Sequence, residues 1–189
     1  MRVGIGIVGM PGSGKSIVSD AAKSLKIPVI VMGDLVREET MKRGLALTTE
    51  NVLCVAEDLR KEYGRKAVAI LVIKKIEEEK ILDSHNVVAI EGLRSPEERQ
   101  VLQEFFDRFI LIAVHASPRT RYERILGRGR IDDTGSLELM KKRDLKEISF
   151  GIGELLALAD VHIVNENKTK EEFFNECVEL LRRFLEQFI

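Results

Sequence analysis

Five short runs of β-branched and aliphatic residues punctuate the chain, at Val3 to Val8, Pro28 to Met32, Val87 to Ile90, Phe109 to Val114 and Val161 to Val164. Between them apolar residues recur every three or four positions, the period of a helix that buries one face. Strands that are apolar at nearly every position are covered on both sides, so the pattern predicts a parallel sheet between two helical layers. Ser95-Pro96-Glu97-Glu98 reads as an N-cap, a proline at the first helical position and a capping-box glutamate, and Ser117-Pro118 opens another helix in the same way. The final pattern, Lys170 to Phe188, carries an apolar stripe of Phe173, Phe174, Val178, Leu181 and Leu185. Core packing explains that stripe, and a dimer face remains open beside it, so monomer and homodimer both stand. From Gly33 to Asn86 the pattern holds about three helices, where one crossover suffices to join two parallel strands. The surplus predicts a small helical subdomain over residues 34–80, the natural place for a second substrate.

A length of 189 residues suits a single α/β domain spanning 1–189. Lys and Arg number 30 against 31 Asp and Glu, a net charge of −1, so no overall field recruits nucleic acid. No apolar run approaches the ~20 residues of a membrane span, and the chain enters its first strand without a signal peptide, which together predict a cytoplasmic protein that meets no membrane. Cys54 and Cys177 lie far apart without metal-ligand spacing, and each reads as a small apolar residue on a helix face. His85, His115 and His162 lack metal spacing too, and His115, at a strand exit, is the one nearest any chemistry.

That chemistry begins directly behind the first strand. Gly9-Met10-Pro11-Gly12-Ser13-Gly14-Lys15-Ser16 fits G-x-x-x-x-G-K-[ST], lies between a strand and a helix pattern, and by chance would occur in roughly one chain in a hundred of this size. Such a loop cradles phosphates with successive backbone amides. Lys15 is expected on the β/γ-phosphates and Ser16 on Mg²⁺, which implies ATP and Mg²⁺ as the groups bound. Ligands of open α/β sheets sit outside the carboxyl ends of the strands. Two of those exits read Gly33-Asp34-Leu35-Val36-Arg37 and Glu91-Gly92-Leu93-Arg94. They offer guanidinium forks for phosphates and carboxylates for Mg²⁺ waters, as phosphoryl transfer requires. Asp34 also suits a helix cap.

These segments resemble the nucleoside monophosphate kinases, adenylate kinase above all, which implies a P-loop fold with strand order 2-3-1-4-5. The resemblance gives Arg37 and Arg94 the acceptor phosphate, with Asp34, Gly92 and Arg143 beside them, and makes Glu91 a Mg²⁺-water or base residue. Arg124-Ile125-Leu126-Gly127-Arg128 is similar to the family's lid-entry motif, so Arg124 is expected on the donor adenine and Arg128 on phosphate, with Arg130 at the lid exit. The large lid itself is missing, which leaves a short one over about residues 119–135. Ala159-Asp160-Val161-His162-Ile163-Val164-Asn165 is similar instead to the last strand of dephospho-coenzyme A kinase. As a whole the chain resembles a family of archaeal adenylate-kinase-related proteins, through the phosphate loop, Met32 to Glu38, Glu50 to Gly64 and Glu91 to Ser95. The resemblance implies ATP-dependent phosphoryl transfer to a nucleotide acceptor, AMP or a similar monophosphate first and dephospho-coenzyme A second. A nucleotide-binding assembly or regulatory factor with weak turnover is the alternative of another class.

Overall fold

The computed structural model describes residues 1–128 and 136–188, which form five strands and ten helices. The strands are β1 (Val3–Gly9), β2 (Val29–Val31), β3 (Val87–Glu91), β4 (Arg108–His115) and β5 (Val161–Val164). They make one sheet of order β2-β3-β1-β4-β5, all parallel, as expected. The register sets Val3 beside both Val87 and Arg108, so the strand that feeds the phosphate loop is flanked on both sides and buried along its whole length.

The two faces are covered by different helices. Val3, Ile5 and Ile7 of β1 meet Ile17, Val18 and Ala21 of α1 (Lys15–Ser24) and Phe173, Cys177 and Leu181 of α10 (Lys170–Phe188). On the other face, Val8, Ile90 and Leu111 pack with helices α2 (Met32–Lys42), α3 (Thr49–Tyr63), α4 (Ala67–Glu78), α6 (Pro96–Phe105) and α9 (Ile152–Ala157). Each fully buried aliphatic side chain stabilises the fold by about 1.5–3 kcal/mol before entropy is counted. The stripe on α10 packs on this core, with Phe173 and Leu181 buried, Phe174, Val178 and Leu185 partly buried against it, and Cys177 buried beside them.

Between β2 and β3 lie α2, α3 and α4, the three helices the pattern called for, followed by one further turn, α5 (Ile81–Ser84). Val55, Ala56 and Leu59 turn α3 inward, which points Cys54 outward, so the expectation of two apolar cysteines holds for buried Cys177 alone. Burial pushes the Cys177 thiol up to about 12. The capping box at Ser95 is present with both reciprocal bonds. Beyond the sheet's carboxyl edge come α7 (Pro118–Arg128) and α8 (Leu137–Ser149), and residues 129–135 of the expected short lid lie outside the described residues. No helix among the described residues is long and apolar enough to cross a membrane.

Candidate active site

β1 ends at Gly9 and α1 begins at Lys15, so the intervening loop wraps the N-terminus of a helix, where amide N–H groups lack intrahelical partners. Two glycines make the wrap possible. Gly12 has φ +80°, and a Cβ there would lie 2.7 Å from the Arg121 carbonyl oxygen. Gly14 has φ +105° and abuts the Asn165 side chain. Any side chain at either position would be strained and would also clash.

Lys15 folds back over the loop, its Nζ donating to Gly9 O at 2.7 Å and Met10 O at 3.2 Å. Burial lowers its pKa to about 8, against the raising effect of Glu91 and Glu147. A desolvated ammonium gains more from an arriving polyphosphate than a hydrated one.

A cavity of 370 Å³ opens in front of the loop. The exits of β2 and β3 bring Asp34, Arg37, Glu91, Gly92 and Arg94 to its wall, and α8 brings Arg143. With Gly9, Pro11, Gly12, Gly14, Lys15 and Ser16 these residues, far apart in sequence, share one space. Met10 instead packs against the core, and Ser13 is buried behind the loop. Arg124 is not among the residues lining the cavity: its Nη2 donates to Asn165 O at 2.9 Å and to Asn165 Oδ1 at 3.2 Å, and it is Ile125 that reaches the wall. Arg130 and the side chain of Arg128 lie outside the described residues.

The wall's charges are internally matched. Arg37 Nη1 donates to Asp34 Oδ1 at 2.6 Å, an i,i+3 pair on the first turns of α2. Arg94 Nε lies 3.4 Å from Oε2 of Glu147, a nearly buried carboxylate oxygen that makes no hydrogen bond. Glu91 Oε2 accepts from Ser19 Oγ at 2.5 Å, which aims the carboxylate toward the start of α1. Behind Arg94, buried Glu98 accepts from the amides of Arg94 at 2.7 Å and Ser95 at 3.2 Å, and burial raises its pKa to about 7.

Ser19, Asp20, Lys23 and Glu147 line the cavity without having been read from the sequence. The first three continue the helix face that Ser16 begins, a signal available in the 3.6-residue period. Glu147 had none, since only the packing of α8 carries it there. His115 and His162, which the sequence did not relate to each other, stack on adjacent strands with Nε2 and Nδ1 3.1 Å apart. No group of three or more metal-ligating side chains occurs among the described residues. Mg²⁺ suits this wall nonetheless, because it is held mostly by water and substrate phosphates with one or two protein oxygens. The Ser16 hydroxyl and the carboxylates of Glu91 and Asp34, all hard oxygen donors on one cavity, fit that demand.

The AAA domain family matches residues 8–141, from the end of β1 into α8. A UPF0200 protein of Methanocaldococcus jannaschii is 44% identical over 185 residues, covering 98% of this chain and 90% of its own length. Among solved structures, a gluconokinase from Sinorhizobium meliloti superposes with a TM-score of 0.58 at 18% identity, covering 100% of this chain and 97% of its own. The shikimate kinase of Aquifex aeolicus does so with a TM-score of 0.56 at 20% identity, covering 95% and 96%. These two likenesses are of fold, the P-loop kinase fold.

Proposed function

We propose, from the premise that this chain belongs to the AAA domain family over residues 8–141 and to the UPF0200 proteins along nearly its full length, that it transfers the γ-phosphoryl group of ATP to a small acceptor, with AMP or a similar nucleoside monophosphate favoured. One observation carries this reading: Arg37, Arg94 and Arg143 line the same cavity as Lys15 and the phosphate loop. A binder of nucleoside triphosphate alone has no need of guanidinium forks on the far wall, whereas a kinase has an acceptor phosphate to hold in line with the donor.

In this reading the loop amides and Lys15 would hold the β- and γ-phosphates of ATP, and Ser16, Glu91 and Asp34 would hold Mg²⁺. Bound Mg²⁺ neutralises charge on the transferring group. Arg37, Arg94 and Arg143 hold the acceptor beside the helical subdomain over 34–80, on the wall that faces Lys15. No covalent intermediate on the protein is required. Catalysis is positioning and charge neutralisation.

A second reading keeps the donor and changes the acceptor to a hydroxyl on a phosphorylated molecule such as dephospho-coenzyme A. What favours it is the pair of carboxylates, Glu91 and Glu147, on the cavity wall, since a hydroxyl nucleophile needs a proton acceptor and a phosphate does not. An ADP-release assay run in parallel with AMP, CMP, dAMP and dephospho-coenzyme A separates the two. ADP formed with a monophosphate supports the first reading, and ADP formed with dephospho-coenzyme A alone supports the second. Tight MgATP binding with no release above background for any acceptor sinks both in favour of a nucleotide-gated binding protein.

A further inference from the structure

Arg121 is the least solvent-exposed arginine of the cavity's surroundings, and it stands behind the phosphate loop rather than in front of it. The residue is 3% exposed. Its Nη1 donates to Pro11 O at 3.0 Å and to Asp144 Oδ1 at 2.9 Å, and its Nη2 donates to Asp144 Oδ2 at 2.5 Å. Tyr122 Oη adds a 2.7 Å bond to the same carboxylate. On the other side of the loop, Asn165 Nδ2 donates to Ser13 O at 2.9 Å, and Arg124 Nη2 in turn holds Asn165 O and Oδ1.

Pro11 O and Ser13 O belong to the peptides whose nitrogens are those of Gly12 and Gly14. A trans peptide is planar with its C=O and N–H pointing in opposite directions. A donor that grips the oxygen from behind therefore aims the N–H forward, and both glycines line the cavity. Without that grip, nothing in the side-chain-free backbone of Gly12 and Gly14, at φ +80° and +105°, fixes the orientation of either peptide.

We propose that Arg121, held by Asp144, and Asn165 are positioning residues that lock two phosphate-loop peptides with their N–H groups turned toward the donor phosphates. The proposal rests on the reading of the loop as an ATP site, and it adds a second consequence. Asp144 sits on α8 between Arg143 and Glu147, both on the cavity wall, so the same ion pair that sets the loop also seats the helix that carries them. None of the three residues needs to touch a substrate.

The test is calorimetric titration with MgATP, and with tripolyphosphate as a probe of the phosphate contacts alone, on the full chain and two variants. In Arg121→Met/Asp144→Leu, a buried ion pair gives way to apolar side chains of similar size, an exchange that ordinarily preserves stability. Asn165→Ala leaves that ion pair intact and removes the other grip. The expected result is a melting temperature for the double variant within a few degrees of the unmodified chain, with Kd for both ligands raised at least about tenfold, the loss of one well-made hydrogen bond. Asn165→Ala is expected to raise both Kd values by a similar factor, so the proposal remains open to test even if the double variant does not fold. Arg121→Lys, which keeps one donor for Pro11 O, should recover part of the affinity. Variants that fold and bind both ligands within twofold of the unmodified chain overturn the proposal. An unmodified chain that binds neither ligand overturns the ATP reading first and this one with it.

Discussion

The two walls of the cavity are built on different principles. On the donor wall, the loop lies between β1 and α1, its glycines are wedged against Arg121 and Asn165, and its lysine is desolvated to a pKa of about 8. On the acceptor wall, Arg37 and Asp34 pair with side chains 46% and 58% exposed, and Arg94 is 38% exposed beside its buried glutamate. Exposed pairs contribute about 0–1 kcal/mol and exchange readily with water and ions. Under the proposed function, the donor side is held by buried contacts before anything binds, while Arg37 rests on an exposed carboxylate that an incoming acceptor phosphate would displace. The contrast teaches that one cavity can be stiff where geometry must be fixed and soft where a substrate has to enter and leave.

The largest break in this comparison comes from the donor wall. Lys15→Ala is expected to lower kcat by about 10³ or more, because the lysine's charge acts on the phosphates in the transition state. Steady-state ADP release checks it, and a variant within tenfold of the parent would remove the loop from catalysis. Arg94→Ala attacks the softer wall and should raise the acceptor KM by about 10–100-fold while the KM for ATP stays within about twofold. Equal effects on both substrates would mean that the walls are not separate.

A third expectation follows from the desolvated lysine. Phosphate binding needs the ammonium, and Lys15 loses its proton as pH rises through about 8. Affinity for MgATP should be flat below that value and fall about tenfold per pH unit above it, with proton uptake on binding seen as a buffer-dependent heat. A flat profile to pH 9.5 would show that Lys15 stays charged without ligand.

The smallest effect belongs to Glu98, behind the acceptor wall. Its folded pKa of about 7 lies above the ordinary value of 4.5, so the folded state binds the extra proton between these values and Glu98's contribution falls as pH rises through them. Glu98→Gln can still accept from the Ser95 amide of the capping box and from the Arg94 amide. It should melt within a degree of the parent at pH 4.5 and several degrees higher at pH 8, a gain of about 1–3 kcal/mol. An unchanged difference across that range would place the charge in water rather than in the core.

Much of this architecture was legible in residue order. The run Val3 to Val8 became β1 with one residue added, and Phe109 to Val114 became β4 with one added at each end. Capping at Ser95 and Pro96 was read at the residue, since caps are local hydrogen bonds. The phosphate loop, Arg37 and Arg94 could be placed near one another because strand exits on a parallel sheet share an edge. Cys54 went astray because helix phase was left unread, Val55 and Leu59 fixing it on the outer face.

What the order of residues determined, then, was everything that depends on neighbours within a turn or on the rule that parallel strands end together: the sheet, the loop, the caps and the meeting of acids with arginines. Only the tertiary structure decided which charges are partnered. Arg121 and Asp144 stand 23 positions apart on separate helices, and Glu147 reaches Arg94 across the cavity. No local pattern in the sequence singles out Arg121, Asp144 or Glu147. Burial gives them their roles, because a charge withdrawn from water must find a specific partner, and which partner is near is settled by how helices pack rather than by any local pattern.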